Sequence, residues 1–94
     1  MQGAKKNNIE KLSKTIGQII ERHRLEQGKT AYAVSAECGI RKSTWRYAEL
    51  GIDLRLSTLW RISEGLEVDI LELIKELKNE LGQNFSLLDD DGDC

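Results

Sequence analysis

Apolar residues recur at alternating steps of three and four through most of the chain, and this spacing places them on one face of an α-helix. The first such run follows Asn8, whose side chain is a candidate N-cap, and the helix is expected to end near Gln27 and Gly28. Its apolar positions are Ile9, Leu12, Ile16, Ile19 and Ile20. The pattern therefore predicts an amphipathic first helix.

Two shorter runs lie on either side of Gly39. Thr30 is placed to cap the first of them, and Gly39 permits a sharp turn because it adopts backbone conformations that a Cβ resists. The second helix has small residues on or near one face, namely Ala31, Val34, Ser35 and Cys38. The expected inward positions of the third helix, over residues 41–50, are Ile40, Thr44, Trp45 and Ala48. The outward or sideways positions are Arg41, Lys42, Ser43, Arg46, Tyr47 and Leu50.

Two further helices follow the loop at residues 51–55. The inward positions of the fourth are Leu56, Leu59, Ile62, Ser63 and Leu66. Gly65 near its end disfavours helix, which indicates either a close backbone contact or the helix terminus. The fifth helix starts at Asp69 and carries Ile70, Leu71, Leu73, Ile74, Leu77 and Leu81. That is more apolar surface than one small core needs.

This pattern predicts one all-α domain of five helices over residues 8–81. Residues 1–7 have no hydrophobic period and are expected to form a flexible basic arm. Residues 82–94 contain turn-forming residues and a run of aspartates, so we expect an acidic tail that is disordered from about residue 83.

Charge is divided unevenly along the chain. The net charge is −2, but residues 5–61 hold 12 Lys or Arg against 6 Asp or Glu, while residues 62–94 hold 2 against 10. Both regions could simply be solvated faces. The alternative is that the basic part, which contains the second and third helices, meets a polyanion.

Several classes of site find no support in the sequence. Cys38, Cys94 and His23 do not have the spacing of a zinc site or a disulfide framework, so we expect no metal, no cofactor and a reducing cytoplasmic setting. No apolar run approaches the roughly 18 residues of a membrane span. Residues 41–44 lack the glycine spacing and the preceding strand of a phosphate loop. An enzyme is not expected.

The third helix has the composition of a DNA-reading helix. Lys42 and Arg46 can donate to guanine O6 and N7, Ser43 can donate or accept, and Tyr47 can offer its hydroxyl or pack on a thymine methyl or a sugar. These four residues share one helical face. Arg41 precedes that face and is better placed for a phosphate.

A longer string of positions resembles the phage-repressor or XRE family of helix-turn-helix regulators. The resemblance covers about residues 13–75. It rests on Gly28, Lys29, Thr30, Val34, Ser35, Gly39, Ile40, Ser43, Thr44, Trp45, Glu49, Gly51, Leu59, Ile62, Leu66 and Val68. It implies a five-helix, lambda-repressor-like DNA-binding domain with the helix-turn-helix in the second and third helices.

The resemblance also implies roles for single residues. Arg24 and Glu49 match a salt-bridged pair whose arginine can reach a phosphate, although a purely structural pair is an equal alternative. The base-contacting positions of the family match Lys42, Ser43 and Tyr47. The family often has a phosphate-contacting Gln where this chain has Ala31, so Thr30 or Tyr32 would have to make that contact.

Both tryptophans are expected to have packing roles. Trp45 occupies a core position of the family, and Trp60 covers either the core edge or a subunit interface. Cys38 is expected to be a small buried hydrophobic residue. The apolar excess of the fifth helix suggests a homodimer interface at Ile70, Leu73, Ile74 and Leu77. The alternative is that this helix closes its own subunit.

The sequence thus predicts a transcriptional regulator that binds a palindromic double-stranded DNA operator as a homodimer, without membrane association. A protein-interaction module, or an antitoxin-like partner of another protein, on the same fold with little DNA binding is the alternative.

Overall fold

The computed structural model describes the backbone of residues 2–88 and the side chains of residues 8–88. Over this part of the chain the protein is all-helical and has no strand. The five helices are α1 (Gln2–Glu26), α2 (Ala31–Cys38), α3 (Lys42–Leu50), α4 (Leu56–Leu66) and α5 (Ile70–Leu81). The aspartates of the expected acidic tail lie outside the described residues, as does Cys94.

The first helix begins earlier than its apolar pattern indicates. α1 starts at Gln2, so the prediction of a helix start at Asn8, after a flexible arm, is wrong. The preceding segment includes Ala4, Lys5 and Lys6, which favour helix, and no proline interrupts it. The Asn8 side-chain amide instead donates to the carbonyl oxygen of Ser86 at 3.0 Å.

That hydrogen bond holds the segment after α5 against α1. Phe85 and Ser86 are partly buried, and the Phe85 N–H donates to the Gly82 carbonyl at 3.4 Å. Disorder from residue 83 was therefore not the right expectation for residues 83–88. Phe85 supplies the reason, because covering an aromatic ring favours a chain that folds back.

The core lies where all five helices meet. Its fully buried side chains include Trp45 of α3, together with Ile19, Ile20, Val34, Ile62, Leu66 and Leu73. Trp45 and Ala48 have no exposed surface, which confirms these two predicted inward positions of α3, while Ile40 and Thr44 are partly buried. Leu56 is 69% exposed, so its predicted burial is wrong. As the first residue of α4, it lies at the end of the helix, away from the buried residues of its later turns.

The predicted turn between α2 and α3 forms as expected. The Thr30 side-chain oxygen accepts a hydrogen bond from the Ala33 N–H at 3.1 Å and caps α2. Gly39 ends α2 with φ of 70°, a left-handed conformation that favours glycine. Only Ile40 and Arg41 lie between Gly39 and the first residue of α3, so the connection between these helices is short.

Gly65 allows α4 to approach α2 closely. A Cβ at this position would lie 2.0 Å from Sγ of Cys38, too close for any side chain. The predicted close contact at Gly65 is thus confirmed. Cys38 is buried, also as predicted, and its thiol lies 3.9 Å from the Ile62 carbonyl.

α5 packs onto the core of its own subunit. Leu73 has no exposed surface, and Ile70, Ile74 and Leu77 are partly buried against the same core. Leu73 therefore cannot contribute to a dimer interface in this conformation, which corrects its assignment. Leu71, on another side of α5, is 73% exposed. None of the described helices combines the length and the apolarity needed to cross a lipid bilayer.

Candidate nucleic-acid interface

The exposed side of α3 carries all four predicted base-contacting residues. Lys42, Ser43, Arg46 and Tyr47 are exposed, with 55% of Tyr47 accessible. They alternate with the inward residues Trp45 and Ala48 because positions three or four apart share a helical face. The fold therefore brings the four side chains together on one surface.

α3 is held from behind by close contact with α1. A Cβ on Gly17 of α1 would lie 2.5 Å from the Ala48 carbonyl oxygen of α3, so the two backbones approach more closely than any larger residue permits. The buried Trp45 ring fixes the rotation of α3 about its own axis. The outward face is thereby presented in one orientation.

An ion pair between α1 and α3 reinforces this packing. Arg24 donates from Nε to Glu49 Oε2 at 2.6 Å and from Nη2 to Glu49 Oε1 at 3.1 Å, a bidentate arrangement. Arg24 Nη1 also donates to the Lys29 carbonyl at 2.9 Å. The pair inferred from the family resemblance is thus present.

Glu49 has a second partner that the sequence analysis missed. The indole Nε1–H of Trp45 donates to Glu49 Oε2 at 2.5 Å. The signal was available, because residues four apart on a helix are neighbours and a buried indole N–H needs an acceptor. The Glu49 carboxylate therefore connects the C-terminal end of α3 to Arg24 of α1 and to the buried Trp45 side chain.

The Arg24–Glu49 pair is largely shielded from solvent. Each side chain is 13% exposed, and hydrogen bonding to Glu49 raises the pKa of the Arg24 guanidinium, although burial opposes this. Arg24 therefore remains charged and paired with Glu49. Little of its surface is left for a phosphate, which favours the structural alternative for this residue.

The other three predicted phosphate contacts are accessible. Tyr32 is 68% exposed, and Thr30 and Arg41 are exposed at the starts of α2 and α3. Arg41 occupies the N-cap position of α3 without a side-chain capping hydrogen bond. Neither helix has an acidic residue in its first turn, so both N-termini keep the partial positive charge that attracts anions.

The cations of α3 are not used in ion pairs within the described part of the chain. Arg22 pairs with Glu76 and Glu80, and Lys29 pairs with Glu37; none of these residues belongs to α3. Arg41, Lys42 and Arg46 form no such pair there. Arg46 does share a cleft of about 230 Å³ with Glu21 and Glu49, so carboxylates border one side of the face.

Arg61 is a further cation near this surface that the sequence did not indicate. Its Nη1 lies 3.5 Å from the position that a Cβ on Gly39 would occupy, beside the turn between α2 and α3. Arg61 and Gly39 are more than 20 positions apart in the sequence, and hydrophobic periodicity does not predict contacts between residues so far apart. Arg61 therefore places a cation beside the turn between α2 and α3.

The described residues offer no metal centre, since no three His, Cys, Asp or Glu side chains come together there. Trp60 is 51% exposed on α4 and does not cover the core.

Comparison of the chain with protein families, with curated proteins and with solved structures found no match.

Proposed function

We propose that the protein is a transcriptional regulator that binds double-stranded DNA sequence-specifically, with α2 and α3 as a helix-turn-helix in a lambda-repressor-like domain. The observation that carries this proposal is the exposed face of Lys42, Ser43, Arg46 and Tyr47 on a helix that is fixed from behind. Rigid support favours specific recognition, because little conformational freedom is then lost on binding.

The dimensions and the donors of α3 suit the DNA major groove. An α-helix with its side chains is about 10–12 Å in diameter, which fits a groove about 12 Å wide. Lys42 and Arg46 are one turn apart, so they can contact neighbouring base pairs. Ser43 and Tyr47 lie beside them as smaller polar contacts.

Phosphate contacts are assigned to the N-terminal ends of α2 and α3. Thr30, Tyr32 and Arg41 are exposed there, and backbone N–H groups at a helix start also bind phosphate. Such contacts would set the position of α3 on the duplex without selecting a sequence. Arg24 acts mainly by holding Glu49 in this proposal.

Two copies of the chain are part of the proposal. A single recognition helix provides few base contacts, and a two-fold homodimer would place two of them one helical turn apart on a palindromic operator, about 34 Å. Of the four α5 residues assigned to the interface, Leu73 is excluded by burial, while Ile70, Ile74 and Leu77 retain some exposed surface.

A mobility-shift titration with the protein's own promoter region at several salt concentrations tests the proposal. Affinity should fall steeply with salt, because binding releases counterions from phosphates. Lys42→Ala and Arg46→Ala should reduce the preference for the specific site, and Arg41→Ala should weaken binding to all sequences. Lys78→Ala, an exposed cation on α5, is the matched control and should change little.

A protein-interaction module or antitoxin-like partner is the second candidate. It is favoured by the exposed Leu56 and Trp60, which line an open cleft of about 590 Å³ along α4. Absence of any salt-sensitive shift, even with long genomic fragments, would support this candidate over DNA binding.

A further inference from the structure

The exposed side of α4 carries an apolar patch. Leu56 and Trp60 are both more than half exposed, and they lie one helical turn apart. Together with Ser57, Arg61 and Glu64 they line an open cleft of about 590 Å³, and we call these five residues the α4 patch. Single exposed apolar residues are normal on a protein surface, whereas adjacent ones often mark a binding surface. The α4 patch therefore has the character of an interface.

Among the described helices other than α3, only α4 has two large exposed apolar residues one turn apart. Ile9 and Leu25 of α1 are several turns apart, and Tyr32 is the only such residue of α2. In α5 only Leu71 is exposed, because the residues assigned to a dimer interface are buried or pack against the core. Thus α4 presents two large apolar residues to a second chain, where α5 presents one.

The charges of the α4 patch favour a second copy of this chain as the partner. Arg61 and Glu64 have opposite charge, both are exposed, and neither forms an ion pair within the described residues. A two-fold interface brings the same patch of two chains together, so each Arg61 can face Glu64 of the other copy. A patch with one charge of each sign is complementary to itself, whereas a partner surface of a single sign would repel one of the two.

We propose that the α4 patch is a homodimer interface, in which Trp60 of each copy packs against Leu56 and Trp60 of the other. Tryptophan is enriched among the residues that contribute most to binding at the centre of an interface. Arg61 and Glu64 pair across the edge of the contact. The inference rests on the proposed function for the need of two copies, but it assigns their contact to α4 instead of α5. Because Arg61 lies beside the turn between α2 and α3, this interface adjoins the helix-turn-helix.

Sedimentation equilibrium of the full chain without DNA, over a range of concentrations, measures the dimer. The wild-type protein should show a monomer–dimer equilibrium. Trp60→Ala should raise the Kd of the dimer about thirtyfold or more, the loss typical of a central tryptophan. Leu71→Ala truncates an exposed apolar residue of α5 and is the matched control, which should leave the Kd unchanged. Circular dichroism establishes that each variant is folded.

Charge reversal tests whether the patch is complementary to itself. Arg61→Glu leaves two carboxylates on each copy, and Glu64→Arg leaves two guanidinium groups, so each variant alone should dimerise at least about tenfold more weakly. An equimolar mixture of the two variants should form a heterodimer, because their patches then carry opposite charges. Lys75→Glu, a charge reversal on the exposed side of α5, should dimerise like the wild-type protein.

The proposal is overturned if the wild-type protein stays monomeric at every concentration, a result that would leave the patch to a different protein. It is also overturned if the Kd is unchanged in Trp60→Ala, or if the two charge variants do not associate when mixed. DNA is absent throughout, so each of these outcomes is distinct from a failure of DNA binding in the mobility-shift titration.

Discussion

Glu49 links α3 to α1 and to the core tryptophan. Its carboxylate accepts hydrogen bonds from Arg24 of α1 and from Trp45 within α3. The family resemblance predicted the pair with Arg24. The hydrogen bond from Trp45 could also have been predicted, because the two residues are four apart on the helix. Its 13% side-chain exposure could not be predicted, because it depends on how α1 packs against α3.

Glu49→Gln should lower the free energy of unfolding by about 2 kcal/mol, since a hydrogen bond to a charged group contributes about 1.5–3 kcal/mol. Urea unfolding followed by circular dichroism measures this change. The control is Glu37→Gln, which breaks the exposed pair with Lys29 and should have a much smaller effect. Equal losses in the two variants would show that Glu49 has no special structural role.

Cys38 provides a prediction about reactivity. Burial raises the pKa of its thiol to about 11, so little thiolate forms near neutral pH. In a Cys94→Ser variant, labelling by a disulfide reagent at pH 8 should be slow in buffer and fast in urea. Rapid labelling of the folded protein would mean that Cys38 is exposed.

The same thiol predicts a dependence of stability on pH. The folded-state pKa of Cys38 is raised above the ordinary 9.0, so the unfolded chain loses this proton first as pH rises. The contribution of Cys38 to stability is therefore complete below pH 9 and is lost by about pH 11. Comparing urea unfolding of Cys38→Ala at pH 8 and pH 11 isolates it, because the variant should lose less stability over this range.

At the scale of the helices, apolar spacing predicted all five elements and the inward face of α3. The same spacing did not predict where α1 begins or that the first residue of α4 is exposed. The start of α1 depends on helix propensity in residues without an apolar pattern, and Leu56 continues the spacing of α4 beyond the region that other helices cover. Periodicity identifies a face, but the extent of its burial depends on neighbouring helices.

Gly65 tests the packing between α2 and α4. Gly65→Ala should destabilise the protein by about 1–3 kcal/mol, despite the higher helix propensity of alanine, because the new Cβ would overlap Sγ of Cys38. Thermal and urea unfolding measure the loss. Adding Cys38→Ala removes the sulfur, so the double variant should lose less than the sum of the single variants. Strict additivity would contradict the contact.

At the scale of the whole molecule, α5 completes the core. The sequence showed an apolar excess on this helix but could not say whether a partner or its own subunit covers it. In the structure Leu73 is fully buried, and Ile70, Ile74 and Leu77 pack against the core. The excess is thus partly explained by a helix that serves its own domain.

Ile74→Asp should accordingly cause loss of folded structure instead of producing a folded monomer. A charged group at this partly buried position removes apolar contact with the core and is costly to desolvate. Sedimentation together with circular dichroism distinguishes the outcomes, with Lys75→Asp as the control on the exposed side of α5. A helical variant with half the mass of the wild-type protein would contradict this expectation, because it would show that Ile74 is needed for the dimer and not for the fold.

The proposed function depends on whether α3 selects a DNA sequence. The most direct measurement is enrichment of bound sites from random double-stranded DNA, carried out with the wild-type protein, Lys42→Ala and Arg46→Ala. The proposal predicts one enriched sequence with two symmetric half-sites about one helical turn apart, and relaxed base preference in the variants. Recovery of no enriched sequence, or of the same preference in all three proteins, would contradict the assignment of α3 as the recognition helix.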